Sequence, residues 1–151
     1  NKESLPESFD VAVLSEVLEH LPDDVDVLKR LAPRVRHVII SVPGGPADKV
    51  DYQYGHYRNY PRRLMLEHME QAGFDVIYFR RWGFPFYDFV RMAITSTGKA
   101  ERLVEGDYSL FQKFMASAIY YLCFLNVLNA GWQVFAIGRS RVFVRGVGSG
   151  E

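Results

Sequence analysis

Hydrophobic positions along this chain follow two periods in turn. Phe9-Asp10-Val11-Ala12-Val13-Leu14 is a short apolar run that predicts a buried parallel strand. Pro22-Asp23-Asp24 reads as a helix start, and Val25, Leu28 and Leu31 then recur at helical spacing until Pro33 ends the element. His37-Val38-Ile39-Ile40-Ser41-Val42 predicts a second strand, stopped by Pro43-Gly44-Gly45-Pro46, whose β-branched run implies burial on both faces. Residues 48–60 form a polar, aromatic loop. Pro61 opens a further helix with Leu64, Met65, Met69 and Ala72 on one apolar face, and Gly73 closes it. Phe74 to Arg80 predicts a third strand. Strand, helix, strand, helix, strand is the signature of a parallel α/β sheet.

Beyond Trp82-Gly83-Phe84-Pro85 the rhythm changes. Tyr87 to Ile94 predicts a short helix, a polar stretch runs through Gly106, and Leu110 to Leu128 predicts a long helix rich in Phe, Tyr and Leu. No formal charge occurs from Phe114 to Gly138, a length that raises a transmembrane question. Asn126, Asn129, Gly131 and Gln133 interrupt it, which favours a buried or membrane-facing helix followed by a strand at Trp132 to Gly138. Residues 146–151 read as a loose tail.

Composition narrows the function classes. With 18 basic and 18 acidic side chains, no electrostatic footprint for nucleic acid stands out. One cysteine, Cys123, rules out an internal disulfide and fits a reducing, cytoplasmic setting. Nine Tyr, eleven Phe and two Trp imply a large apolar core or pocket. An amino-terminal Asn1 suggests a fragment or processed product.

The candidate chemistry follows the first strand. Ser15-Glu16-Val17-Leu18-Glu19-His20 sets two carboxylates and an imidazole at the carboxyl end of a predicted parallel strand, where open α/β sheets bind ligands. Such groups are costly to bury without partners. On a helical turn, Glu16 would share a face with Glu19 and His20. Gly55-His56-Tyr57-Arg58 lies in the loop after the next strand, and His56 reads equally as a general base or as an anchor paired with Asp51. Tyr54, Tyr57 and Arg58 read as substrate contacts or a lid, and Trp82 and Phe84 as walls of an acceptor pocket or ordinary core. His37 and His68 read as structural.

Phe9-Asp10-Val11, Glu16 to Leu21, Ile40-Ser41-Val42-Pro43, Gly55-His56-Tyr57-Arg58 and Ala72-Gly73-Phe74, in this order and spacing, resemble the carboxyl-terminal half of class I S-adenosylmethionine-dependent methyltransferases. The resemblance implies a partial Rossmann-like α/β sheet with strands equivalent to the family's fourth, fifth, seventh and sixth in spatial order, the last in sequence antiparallel, and a helical insertion before it. It divides the chain into a core part (1–85), the insertion (86–131), the final strand (132–145) and a tail (146–151). It implies transfer of a methyl group to an oxygen or nitrogen acceptor, with a small, hydrophobic molecule as the expected acceptor. S-adenosylmethionine is the implied cofactor, with Ser15 and Glu16 on its side and Glu19, His20 and His56 as catalytic residues. In small-RNA 2′-O-methyltransferases and quinone-precursor O-methyltransferases, which the pattern also resembles, such residues hold a divalent ion. The corresponding set here is Glu16, Glu19, His20 and His56, for Mg²⁺ or another divalent metal.

The family's glycine-rich cofactor loop has no counterpart in the chain, so the expectation is an inactive piece of a larger enzyme with an exposed, pairing-prone strand at 9–14. The alternative is a non-catalytic module that pairs through that edge, as a dimer, or lies peripherally on a membrane surface through residues 110–128.

Overall fold

The computed structural model describes residues 8–97, 109–127 and 129–144. Strand β1 (Phe9–Ser15) is followed by a 3₁₀ turn (Leu18–His20), helix α1 (Asp24–Leu31) and strand β2 (Val35–Pro43). A short helix α2 (Lys49–Gln53) and helix α3 (Arg62–Gln71) precede strand β3 (Phe74–Trp82). Helices α4 (Phe86–Thr97) and α5 (Leu110–Cys123) then lead to strand β4 (Gln133–Ser140).

The strand order is β1-β2-β4-β3. β1 runs parallel to β2, from Phe9 opposite Val35 to Ser15 opposite Ser41. β4 inserts antiparallel between β2 and β3. This is the expected α/β arrangement, with the last strand reversed.

Alternation along β2 and β4 turns Val38, Ile40, Val42, Val134 and Ala136 to one face, where they are buried with Leu28 of α1 and Met65 and Met69 of α3. α3 is closed by Gly73, whose φ of +87° is open to glycine without steric cost. Ser140 Oγ donates to the Ala32 carbonyl, 2.6 Å, tying β4 to the end of α1.

The opposite face corrects an expectation. β1 was expected to be buried and β2 to be buried on both faces, yet the register aligns Val13, Ile39, Ile137 and Tyr78 in an outward row. Val13 is 63% exposed and Ile39 38%. Apolar pattern reports a capacity for burial, and among the described residues the helices packed into the core, α1 and α3, cover one face. β1 is also a sheet edge, as expected.

Three other boundaries shift. Residues 49–53, expected as loop, are helical because Asp48 accepts the N–H groups of Val50 (2.8 Å) and Asp51 (3.0 Å) while Asp51 reaches back to the Asp48 N–H (3.1 Å). The short helix after Pro85 runs on to Thr97. α5 stops at Cys123 rather than 128, and none of its residues is buried; no described helix is long and apolar enough to cross a membrane. The expected tail and most of the polar stretch before Gly106 lie outside the described residues.

Candidate functional site

The carboxyl ends of β1 and β2 meet the amino end of β4, and the first side chains there form a chain of hydrogen bonds. Ser15 Oγ lies 3.0 Å from Ser41 Oγ, which donates to Glu16 Oε1 at 3.0 Å. Gln133 Nε2 donates to the same oxygen at 2.6 Å. Glu16 itself leaves the strand with φ +52°, a conformation that a non-glycine residue holds only when its surroundings enforce it. Its backbone N–H on the Ser41 carbonyl, 2.9 Å, supplies part of that constraint.

The left-handed step at Glu16 corrects the expected four-residue ligand set. No helical turn joins residue 16 to residue 20, because the 3₁₀ turn begins only at Leu18. Glu19, His20 and His56 do converge: each offers a ligand atom, and these lie within 4.8 Å of one another, a group that does not include Glu16. The two imidazoles meet edge to face with ring centres 4.7 Å apart. Tyr57 N–H donates to the Glu19 carbonyl at 2.7 Å, so the His56 loop is fastened to the turn that bears Glu19 and His20.

Glu19 is the unusual member. Its side chain is fully buried, and neither carboxyl oxygen has a hydrogen-bond partner. Burial pushes its pKa up to about 7, and the charge of the neighbouring Glu16 carboxylate, a hydrogen bond to it from the protonated form, and the charge of Asp51 add to the effect. A buried carboxyl left without a donor is a standing energetic cost, which a cation or a hydroxyl-bearing molecule would relieve.

His56 Nδ1 lies 3.6 Å from Asp51 Oδ1, beyond hydrogen-bond length, and is itself without a partner. Asp51 is committed elsewhere: it accepts from Arg91 Nη2 of α4 at 2.5 Å and from Asn59 Nδ2 at 2.9 Å. Asp51, Asn59 and Arg91 therefore form the support beneath the His56 loop. Sequence reading missed Arg91 and Asn59; the Asp48-x-x-Asp51 spacing was the available signal that this loop is ordered.

Arg58, read as a substrate contact or part of a lid, is held by the fold in this structure. Its guanidinium pairs with Asp24 and donates to the carbonyls of Leu21 (2.9 Å) and Pro22 (2.6 Å). Asp24, buried at the start of α1, also receives the Tyr60 hydroxyl at 2.8 Å and lies 2.6 Å from His68 Nδ1. The Asp in the helix start thus faces the core instead of capping α1, and His68 is structural as read. Tyr54 and Tyr57 are exposed on the loop, and so is Phe84; Trp82 lines a cleft with Tyr87.

No family model and no curated protein matches the sequence. Solved structures do match. The [4+2]-cyclase SpnF superposes with a TM-score of 0.52 at 17% identity, covering 92% of this chain and 53% of that one. A Galdieria sulphuraria chain named for sarcosine dimethylglycine methyltransferase superposes with a TM-score of 0.50 at 14% identity, over 91% of this chain and 55% of that one. A Haemonchus contortus phosphoethanolamine N-methyltransferase 2, solved with S-adenosyl-L-methionine, has a TM-score of 0.48 at 18% identity, over 89% of this chain and 34% of that one. The chain spans about half the length of the first two. With the strand order and the reversed last strand, the first two superpositions show a partial, Rossmann-like α/β fold of the class I methyltransferase type.

Proposed function

We propose that this chain is the acceptor-side half of an S-adenosylmethionine-dependent methyltransferase that modifies an oxygen, or a nitrogen, of an apolar small molecule. The observation that carries the reading is the convergence of Glu19, His20 and His56 beyond the carboxyl end of β1, in a methyltransferase-type sheet. Fold alone does not decide the reaction, as the cyclase among the structural matches illustrates.

S-adenosylmethionine supplies an electrophilic methyl group when bound. Ser15 and Glu16 are the groups of this chain assigned to its side of the cleft. Glu19, His20 and His56 would orient the acceptor hydroxyl, and an imidazole would take up the proton that the hydroxyl gives up on methylation. Glu19, with two unpartnered oxygens, His20 and His56 also suit a divalent ion such as Mg²⁺ or a transition metal, which would lower the acceptor's pKa. Exposed Tyr54 and Tyr57 close over the acceptor, and helices α4 and α5 shape its pocket. The single unpaired cysteine fits a cytoplasmic protein.

Calorimetric titration of S-adenosylhomocysteine, with and without Mg²⁺, tests this. Saturable binding supports the reading; a folded sample that gives no heat removes cofactor use from this chain.

A second reading rests on its own observation. α5 buries no residue, with Phe111 and Phe114, and Phe124 just after it, all about 70% exposed, and among the described residues β1 is an unpaired edge. This favours a non-catalytic module that pairs through strand 9–14 or lies on a membrane surface through α5. Sedimentation that is independent of concentration, together with no liposome binding, would overturn it.

A further inference from the structure

Helix α4 divides its side chains between two tasks. Asp88 and Arg91, one turn apart, hold it to the core. Asp88 Oδ1 accepts the Trp132 N–H at 3.0 Å, and Arg91 Nη2 donates to Asp51 Oδ1 at 2.5 Å. Phe86, Phe89, Val90 and Ala93 instead wall an apolar groove with Ile119 and Leu122 of α5. A molecule that fills this groove therefore presses on the helix that carries Arg91.

Asp51 is where that helix meets the candidate site. The Arg91–Asp51 pair is enclosed, with side chains 16% and 6% exposed. Asn59 Nδ2 (2.9 Å) and the Asp48 N–H (3.1 Å) occupy Asp51 Oδ2, and Arg91 occupies Oδ1. His56 Nδ1 stands 3.6 Å from the same Oδ1, roughly 0.7 Å beyond an ordinary N–H···O length. The two residues are already tied through the backbone, since the His56 N–H donates to the Asp51 carbonyl at 3.0 Å. A small turn of the ring would close the gap.

The gap matters because Nδ1 is buried and without a partner. A nitrogen so enclosed cannot serve a ligand, which leaves Nε2 as the working atom of His56. As a base or as a metal ligand, Nε2 has to be free of its proton. The proton then sits on Nδ1 and calls for an acceptor. Asp51 Oδ1 is the carboxylate oxygen within reach, and Arg91 holds it through a charge-assisted bond that a neutral imidazole does not displace.

We propose that Arg91 and Asp51 are positioning residues for His56: Arg91 and the His56 ring compete for Asp51 Oδ1, so the seating of α4 sets which nitrogen of His56 carries the proton. While α4 is seated, Nδ1 lacks its acceptor. When a molecule in the groove draws Arg91 away, Oδ1 passes to the His56 Nδ1–H and Nε2 becomes available. This rests on the methyltransferase reading for the use made of His56, and on the geometry alone for the competition.

Nitrogen NMR of the histidine rings in the isotope-labelled chain tests this, at about pH 8.5, where an ordinary imidazole is neutral. It reads the ratio of Nδ1–H to Nε2–H forms. The chain has four histidines, and His56→Ala identifies the signals of His56. Arg91→Met frees Oδ1, so the ratio is expected to rise about tenfold, as one charge-assisted hydrogen bond forms. The paired substitution Asp51→Asn with Arg91→Met is expected to lose most of that rise, which a general loosening of the loop would not do. Arg91→Leu serves if the Met variant does not fold. A ratio within about twofold of the wild type in both Arg91 variants overturns the proposal, as does a rise that persists undiminished in the Asp51→Asn background. Calorimetry with S-adenosylhomocysteine decides the enzyme reading separately. Competition in a chain that gives no heat keeps the positioning role and removes only its use in methyl transfer. Heat without competition removes only the positioning role.

Discussion

Whether Arg58 belongs to the fold or to a substrate is decided by its partner, and the consequence is measurable. Asp24 is 3% exposed in its side chain and gathers Arg58, Tyr60 and His68. Replacing Asp24 by Ala takes the carboxylate from a guanidinium 25% exposed, which keeps only the Leu21 and Pro22 carbonyls, and from a buried hydroxyl, which keeps only the Leu18 carbonyl. Removing one partner of a buried pair costs about 3–5 kcal/mol, because the remaining charge keeps its desolvation penalty. A domain of this kind is stable by about 5–15 kcal/mol, so the loss is a large share. With a urea slope of about 2 kcal/mol per M, the midpoint should fall by about 1.5–2.5 M. Arg58→Ala should cost somewhat less, since its guanidinium is partly solvated. The double variant should fall short of additivity by about 1–3 kcal/mol, the signature of a shared contact. Urea unfolding followed by tryptophan fluorescence and circular dichroism reads all three. If Arg58→Ala shifts the midpoint by less than about 0.25 M, its net contribution is below about 0.5 kcal/mol, and the assignment to the core is wrong.

Other outcomes follow from the same geometry. If Glu19, His20 and His56 hold a cation, Mn²⁺ at about 100 times its dissociation constant adds about 2.7 kcal/mol, raising Tm by roughly 5–11 °C; an equal rise in Glu19→Gln or His56→Ala would refute this ligand set. Burial holds the Asp88 carboxyl above its usual 3.8 in the fold. The folded state therefore keeps the proton longer than the unfolded chain, and stability is lost as pH climbs from that value through the raised one. Asn keeps an acceptor for the Trp132 N–H, 3.0 Å away, so Asp88→Asn should gain on the wild type between pH 4 and pH 7, and a constant difference in urea midpoint would contradict it. Gly131, with φ +122°, would place a Cβ 2.3 Å from the Trp82 carbonyl oxygen, so Gly131→Ala should cost at least about 2 kcal/mol from strain and clash, read as a loss of Tm; a neutral result would mean that the 129–132 turn is built differently.

Local pattern was enough for much of this molecule. The apolar runs at Phe9, His37 and Phe74, punctuated by Pro33, Pro43 and Gly73, set the alternation of strands and helices, because periodicity and turn residues act over a few neighbours. Their order, with the motifs around Glu16 to His20 and Gly55 to Arg58, was enough to indicate the sheet type and the corner where Glu19, His20 and His56 meet.

What local pattern could not hold was the choice of partners across long separations. Arg58 finds Asp24, 34 residues away, and Arg91 finds Asp51, 40 residues away; a charge's partner depends on how helices and loops are laid against one another. The turn at Glu16 is likewise decided by Ser41 and Gln133 reaching in from other strands. Asn126 reads in sequence as an interruption of an apolar run, and only packing against α4 makes it a cap with a spare donor. The open row of Val13 and Ile39 has the same origin: side-chain chemistry states that a face can be buried, while tertiary structure decides whether anything covers it.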